Sequence, residues 1–353
     1  MNLHFSPPIA DARHYPSPSV LALPKHTSKD NGEGRKLPSS VKQQLLVDHG
    51  RTALFLIAKT LHTQQIWLPS YHCPALVEPF IAANKQVNFY PVLADLSPDL
   101  RFLLQHIKQG DALVAIRFFG FDCQIQELAD LCNSKQCLLI EDLAHAAFFD
   151  RLIGQLAITS LIKFYPVNSG AEILIGENSS NQHSLLSLHQ KLPGLWTKAV
   201  RTLLIKVKRK LGIANTDKRF RYFDPNSFCR QLSQQDHQQV RHSDQQDIIR
   251  KRCDNYQFMA KQLIKSVMGK PLFPVLQENT VPYVLPFLLD DPVYFDQIRQ
   301  AGIQIYRWEE IASSDCAISQ EYRTRLIQLP VHQDLTRTEM DYMINVLTSK
   351  MEH

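Results

Sequence analysis

The chain has 353 residues, 44% of them hydrophobic and 21% charged, with a formal net charge of +5. That composition can bury a large core in one big or two unequal domains and excludes a globally disordered chain, and no apolar run reaches the ~20 residues that a membrane span requires. So modest a charge gives no reason to expect nucleic acid as a partner, and the seven scattered cysteines, without paired short spacings, read as thiols of a reduced, cytoplasmic protein rather than as disulfides or a zinc site.

In chain order, residues 1–45 are rich in Pro, Ser and Lys and read as an irregular arm, without the basic flank and apolar core of a secretory signal, ending in a helix start near Pro38. The pattern then tightens. Leu54, Ile57, Ala58 and Leu61 share the buried face of a helix that begins at Gly50, and strand and helix alternate after it. Strands are expected at 65–69, 86–93, 112–116, 137–141, 157–162 and 171–175, with helices at 75–83 and 125–133 between them. Such alternation predicts a mostly parallel sheet covered on both faces, with ligands gathering at the carboxyl ends of the strands. Three loops lie at such ends: Pro69 to Cys73, Glu141 to His145, and Lys163 to Gly170.

Residues 46–245 are therefore read as one large α/β domain, within which 180–245 is polar and reads as an insertion or lid. Between Lys198 and Arg221 it carries nine Lys or Arg and one acid, interleaved with leucines. A basic amphipathic stretch of this kind can rest on an anionic membrane surface, but a solvated helix packed by its leucines is the plainer reading. Gln231 onward reads as a solvated, weakly low-complexity segment. Residues 246–353 are read as a linking helix and a small α+β domain, with strands at 283–289 and 302–306 and helices at 292–301 and 338–347.

For chemistry, Asp142 at a strand's carboxyl end is suited to holding a protonated heterocyclic nitrogen, or simply to capping a following helix. Gly50, Arg51 and Thr52 at a helix start form a potential anion cradle, because free backbone N–H groups meet the positive end of the helix dipole. His145 and Cys73 have packing roles as their plain alternatives.

Taken together, HGRTAL (His49 to Leu54), LPSYHCPAL (Leu68 to Leu76), VAIRFFGFDCQIQEL (Val114 to Leu128), IEDLAHA (Ile140 to Ala146), FYPVNSGA (Phe164 to Ala171) and LPVHQDLT (Leu329 to Thr336) resemble, in order, motifs of the DegT-type nucleotide-sugar aminotransferases. The resemblance runs from about residue 45 to the C-terminus. It implies a fold-type I, three-layer α/β large domain with a smaller α+β domain, pyridoxal phosphate or pyridoxamine phosphate as cofactor, a nucleotide-linked sugar as substrate, and a homodimer. It further implies that the backbone at Gly50, Arg51 and Thr52 faces the cofactor phosphate, that Asp142 pairs with the pyridine nitrogen, that His145 lies beside the phenolic oxygen, and that Cys73 lies against the ring.

The family frame Ser-Phe-x-Pro-x-Lys falls on Lys163 to Asn168, so the phosphate-binding serine becomes Lys163 and the cofactor-anchoring lysine becomes Asn168. An amide is neither nucleophilic nor basic at neutral pH. On this alignment the leading expectation is a sugar-modifying protein of surface polysaccharide or glycoconjugate biosynthesis with altered or lost transaminase chemistry. It would either hold the cofactor noncovalently and use His145 as base, or have lost catalysis and retained binding of a nucleotide sugar or a protein partner. A conventional aminotransferase that uses Lys163, the one lysine between Ala144 and Gln190, is the third reading.

Overall fold

The computed structural model describes residues 36–177, 179–193, 221–225 and 229–349. The basic run lies almost entirely outside these, as does most of the N-terminal arm. A seven-stranded sheet takes the order β1-β7-β6-β5-β4-β2-β3. Its strands are β1 (Val41–Val47), β2 (Gln65–Pro69), β3 (Gln86–Tyr90), β4 (Ala112–Ile116), β5 (Leu138–Leu143), β6 (Leu156–Ser160) and β7 (Ala171–Gly176). Strands β2 to β6 are mutually parallel, β7 runs antiparallel to β6, and β1 runs antiparallel to β7.

The apolar run Ala-Leu-Val-Ala-Ile of β4 is buried at all five positions, as a central strand covered on both faces requires. Helix α1 (Gly50–Thr60) presses Ala53, Leu54, Leu56, Ile57 and Ala58 into the core. It packs beside α2 (Pro74–Ala82), which opens on a proline where the missing N–H costs no helix bond. Helices α3 (Leu100–His106) and α4 (Ile125–Lys135) complete the alternating part, and α5 (Gln182–Gln190) packs on α1.

Two short-range expectations give way to longer-range pairing. The segment expected to start a helix near Pro38 forms β1 instead, because Val41 to Val47 pairs along β7 and completes that edge of the sheet. The Gln-rich segment after Gln231 forms α6 (Gln234–His242), capped by Ser233 and burying Asp236 and Val240.

The long helix α7 (Gln245–Leu263) leads to an antiparallel three-stranded sheet of β8 (Gly269–Pro271), β9 (Val284–Leu289) and β10 (Leu326–Pro330). Helices α8 (Tyr294–Gln300), α9 (Ala317–Arg325) and α10 (Arg337–Thr348) accompany it, and α10 opens on a capping box of Thr336 and Glu339. The strand expected at 302–306 reduces to a single bridge between Tyr306 and Gln328. Phe287, Leu289, Leu326 and Leu329 join the same core cluster as the large sheet.

Candidate active site

At the carboxyl ends of β4, β5 and β6 lies a cavity of about 240 Å³, lined by Gly50, Arg51, Cys73, Asp142, His145, Ser160, Lys163 and Trp308 among others. The chain builds it from the ends of these elements. Strand β5 delivers Asp142, whose Oδ1 accepts the Ala144 N–H at 2.9 Å and so caps a turn, where a following helix had been one expectation. Its neighbour Glu141 is fully buried and structural, accepting Ile153 and Gly154 N–H at 2.7 Å and pairing with Arg117 at 2.9 Å.

Strand β6 ends at Ser160, which borders the cavity, and one 3-10 turn, Leu161–Lys163, follows. That turn aims Lys163 back over the strand ends. Phe164 and Tyr165 then enter a separate buried cluster with Phe148 and Val240. Asn168 emerges exposed, its N–H donating to Asp236 at 3.1 Å. Lys163 thus lines the cavity and Asn168 does not.

Burial pulls the Lys163 ammonium below its ordinary range, against the opposing influence of Cys73 and Asp142. The Asp142 carboxyl is raised by burial and held back by Lys163. Burial also raises the Cys73 thiol, which keeps it protonated and unsuited to nucleophilic work.

His145 is sandwiched between Tyr283, with ring centroids 4.7 Å apart, and Phe119 at 5.5 Å. Its Nδ1 accepts the Phe119 N–H at 3.3 Å, so that nitrogen carries no proton. Burial and the nearby Lys163 push its pKa well below the usual histidine value, which makes His145 a poor proton acceptor at neutral pH. The expectation of His145 as substitute base meets this obstacle. The loop that supplies Phe119 is tightly held. Phe119 sits at a φ of 60°, and a Cβ on Gly120 would come within 2.5 Å of the Val281 carbonyl oxygen.

At the cradle, Gly50 and Arg51 border the cavity, and no side chain caps the start of α1. Thr52 turns away. Its hydroxyl donates to Asp48 at 2.6 Å and accepts the Cys229 N–H at 3.1 Å, so the side chain does not point outward into the cradle, which leaves that position its backbone. The Arg51 guanidinium donates to the Tyr222 carbonyl, and Glu78 on α2 accepts the N–H groups of Arg221, Tyr222 and Phe223. These bonds seat Tyr222 in the wall of an adjoining cavity of about 350 Å³, which shares Cys73, Ala75 and Trp308 with the first.

The donor set fits a phosphate-bearing aldehyde of a pyridine ring. An uncapped helix start and the Ser160 hydroxyl suit an anion, Asp142 suits a ring nitrogen, and Lys163 supplies an amine. Ser160 and Trp308 line the same cavity, and Tyr283 backs it by stacking on His145. The serine was obscured by the frame that placed the phosphate hydroxyl at 163, although it stands only three residues before that lysine. Among the described residues, no group of three His, Cys, Asp or Glu could hold a metal.

No family model matches the chain. Over 154 residues it is 27% identical to GDP-perosamine synthase of Vibrio cholerae, a stretch covering 39% of this chain and 41% of that protein. Its fold is similar to AtS13 from Actinomadura melliaura, with a TM-score of 0.67 and 17% identity over 88% of this chain and 87% of that one. It is also similar to Helicobacter pylori PseC, an aminotransferase involved in the biosynthesis of pseudoaminic acid, with a TM-score of 0.66 and 13% identity over 87% and 86% of the two chains. A putative sugar aminotransferase of Streptococcus pneumoniae in its PMP form has a TM-score of 0.67 and 13% identity over 90% and 93%. The architecture is that of the fold-type I aminotransferases.

Proposed function

We propose that this chain is a pyridoxal-phosphate-dependent aminotransferase of a nucleotide-linked sugar, and that Lys163 is its cofactor-anchoring amine. The observation that carries the reading is the direction of one side chain: Lys163 enters the cavity beside Asp142, and Asn168 faces solvent. The cofactor lysine therefore corresponds to 163 and the phosphate-side hydroxyl to Ser160, which removes the reason to expect altered or lost chemistry.

Bound there, pyridoxal phosphate would supply an aldehyde and a ring that takes up electrons during amino transfer. The chain's own residues do the rest. Burial raises the share of neutral, nucleophilic Lys163 amine at neutral pH, and the same amine can carry a proton between adjacent atoms of a substrate. Asp142 keeps a ring nitrogen protonated. The N-terminus of α1, with Ser160, holds the anionic end. The aromatic wall of Tyr283, His145 and Trp308 excludes water from one side of the cavity.

The neighbouring cavity, with Tyr222, Arg299, Tyr306 and Glu310, is the proposed place for the sugar nucleotide, and a homodimer is the proposed working form. A panel of nucleotide-linked ketosugars, beginning with GDP-linked ones, incubated with protein and an amino donor, tests the reading. An aminated product seen by mass is expected with wild type and absent with Lys163→Ala. Amination that persists in the variant would overturn the assignment.

A further inference from the structure

Arg252 lies on α7, outside the cavity, and is 1% exposed. Its guanidinium spreads over three segments. Nε donates to Gln333 Oε1 at 2.9 Å, Nη1 to the carbonyls of Pro282 at 3.3 Å and Tyr283 at 3.0 Å, and Nη2 to the carbonyl of Lys163 at 3.0 Å. The group lies 4.7 Å from the centroid of the Phe164 ring, and Gln333 closes the circuit by donating to the Phe164 carbonyl at 3.0 Å.

Each of these acceptors is a neutral oxygen. Burying a cation on such terms is costly, and the cost shows as a guanidinium pulled down to about 10, chiefly by burial. An apolar side chain would fill the space more cheaply, so packing alone does not explain the choice. What the fork achieves is geometric. It binds the carbonyls of Lys163 and Tyr283, two residues whose side chains meet in the site, with the Lys163 amine 5.2 Å from the Tyr283 ring centroid and that ring stacked on His145.

We propose that Arg252 is a positioning residue for Lys163: its planar fork ties the turn that carries the amine to the segment that carries the aromatic wall, and so sets the amine's direction into the cavity. The inference rests on the reading of Lys163 as the reactive amine. A lysine at 252 would keep the charge but not the fork, because an ammonium cannot span the same carbonyls in one plane.

The test uses the full chain without cofactor. Lys163 is labelled competitively with acetic anhydride across a pH series and read by peptide mass, and in parallel pyridoxal phosphate is added and trapped with borohydride. In Arg252→Lys the labelling midpoint of Lys163 is expected to move up toward that of surface lysines, and trapping is expected to slow by at least about tenfold. A variant with a lower melting temperature but the wild-type labelling curve would show a merely structural role and overturn the proposal. Should Arg252→Lys fail to fold, Gln333→Leu, which keeps the arginine but removes its Nε acceptor, must shift the curve in the same direction. An unchanged curve there overturns it equally. If wild type traps no pyridoxal phosphate, the cofactor reading fails, and the labelling curves still decide the role of Arg252.

Discussion

Lys163 and Asn168 stand on the one loop between β6 and β7, yet only the lysine lines the cavity. Introducing a lysine by Asn168→Lys is therefore expected to leave trapping by pyridoxal phosphate unchanged, since the position faces solvent. Lys163→Ala is expected to lower amino transfer by at least ~10²-fold, measured as product formed per enzyme in a single turnover. Thr52→Val removes a buried hydroxyl from Asp48 and Cys229 and is expected to cost about 1–3 kcal/mol in urea unfolding, with trapping retained. The loops that carry Gly50, Arg51, Cys73, Asp142 and His145 to the cavity were legible, because strand ends and helix starts can be located in the sequence. Which of two polar side chains on the loop between β6 and β7 points inward was not legible. That depends on one 3-10 turn at Leu161–Lys163 and on the burial of Phe164 and Tyr165 beyond it.

At the scale of elements, α6 holds the far side of that turn. Asp236 accepts from the Asn168 N–H at 3.1 Å, from the Ser169 hydroxyl at 2.8 Å and from the Ser233 hydroxyl at 2.9 Å. Asp236→Ala strands these donors and is expected to lower stability by about 2 kcal/mol in urea unfolding, with Asp236→Asn milder. A loss below a few tenths of a kcal/mol would show that the turn does not depend on α6. The helix was hard to read from sequence because its buried positions are few and one of them is an aspartate. Strand β1 escaped for a different reason: its partner β7 is more than a hundred residues away, and the nearby Pro38-Ser-Ser imitates a helix start. The central strands and α1 were readable because apolar runs and helical spacing there agree with burial.

Across the whole molecule, buried neutral histidines shape the response to acid. His72 is fully buried, donates through Nδ1 to the Pro69 and Ser70 carbonyls and accepts the Ala312 N–H at Nε2; burial lowers its pKa to about 4. His332 is likewise lowered to about 4, and His145 lies well below its usual value. Between roughly pH 6.5 and 4 the unfolded chain therefore binds protons that the folded one refuses, so stability falls as pH falls through that window. For His72 alone the full loss is on the order of 3 kcal/mol. Asp142 opposes it in part, since its raised pKa lets the folded state hold a proton that the unfolded chain has released. Melting temperatures from pH 7 to 4.5 should show the decline, and His72→Asn should start lower at pH 7 but lose less on acidification. An unchanged slope in that variant would remove His72 from the account.

The most direct test of the central claim adds pyridoxal phosphate to the purified chain, reduces with borohydride and maps the added mass on proteolytic peptides. The predicted result is a single modified site at Lys163, lost in Lys163→Ala and retained in Asn168→Ala. Modification spread over surface lysines with none at Lys163 would contradict it.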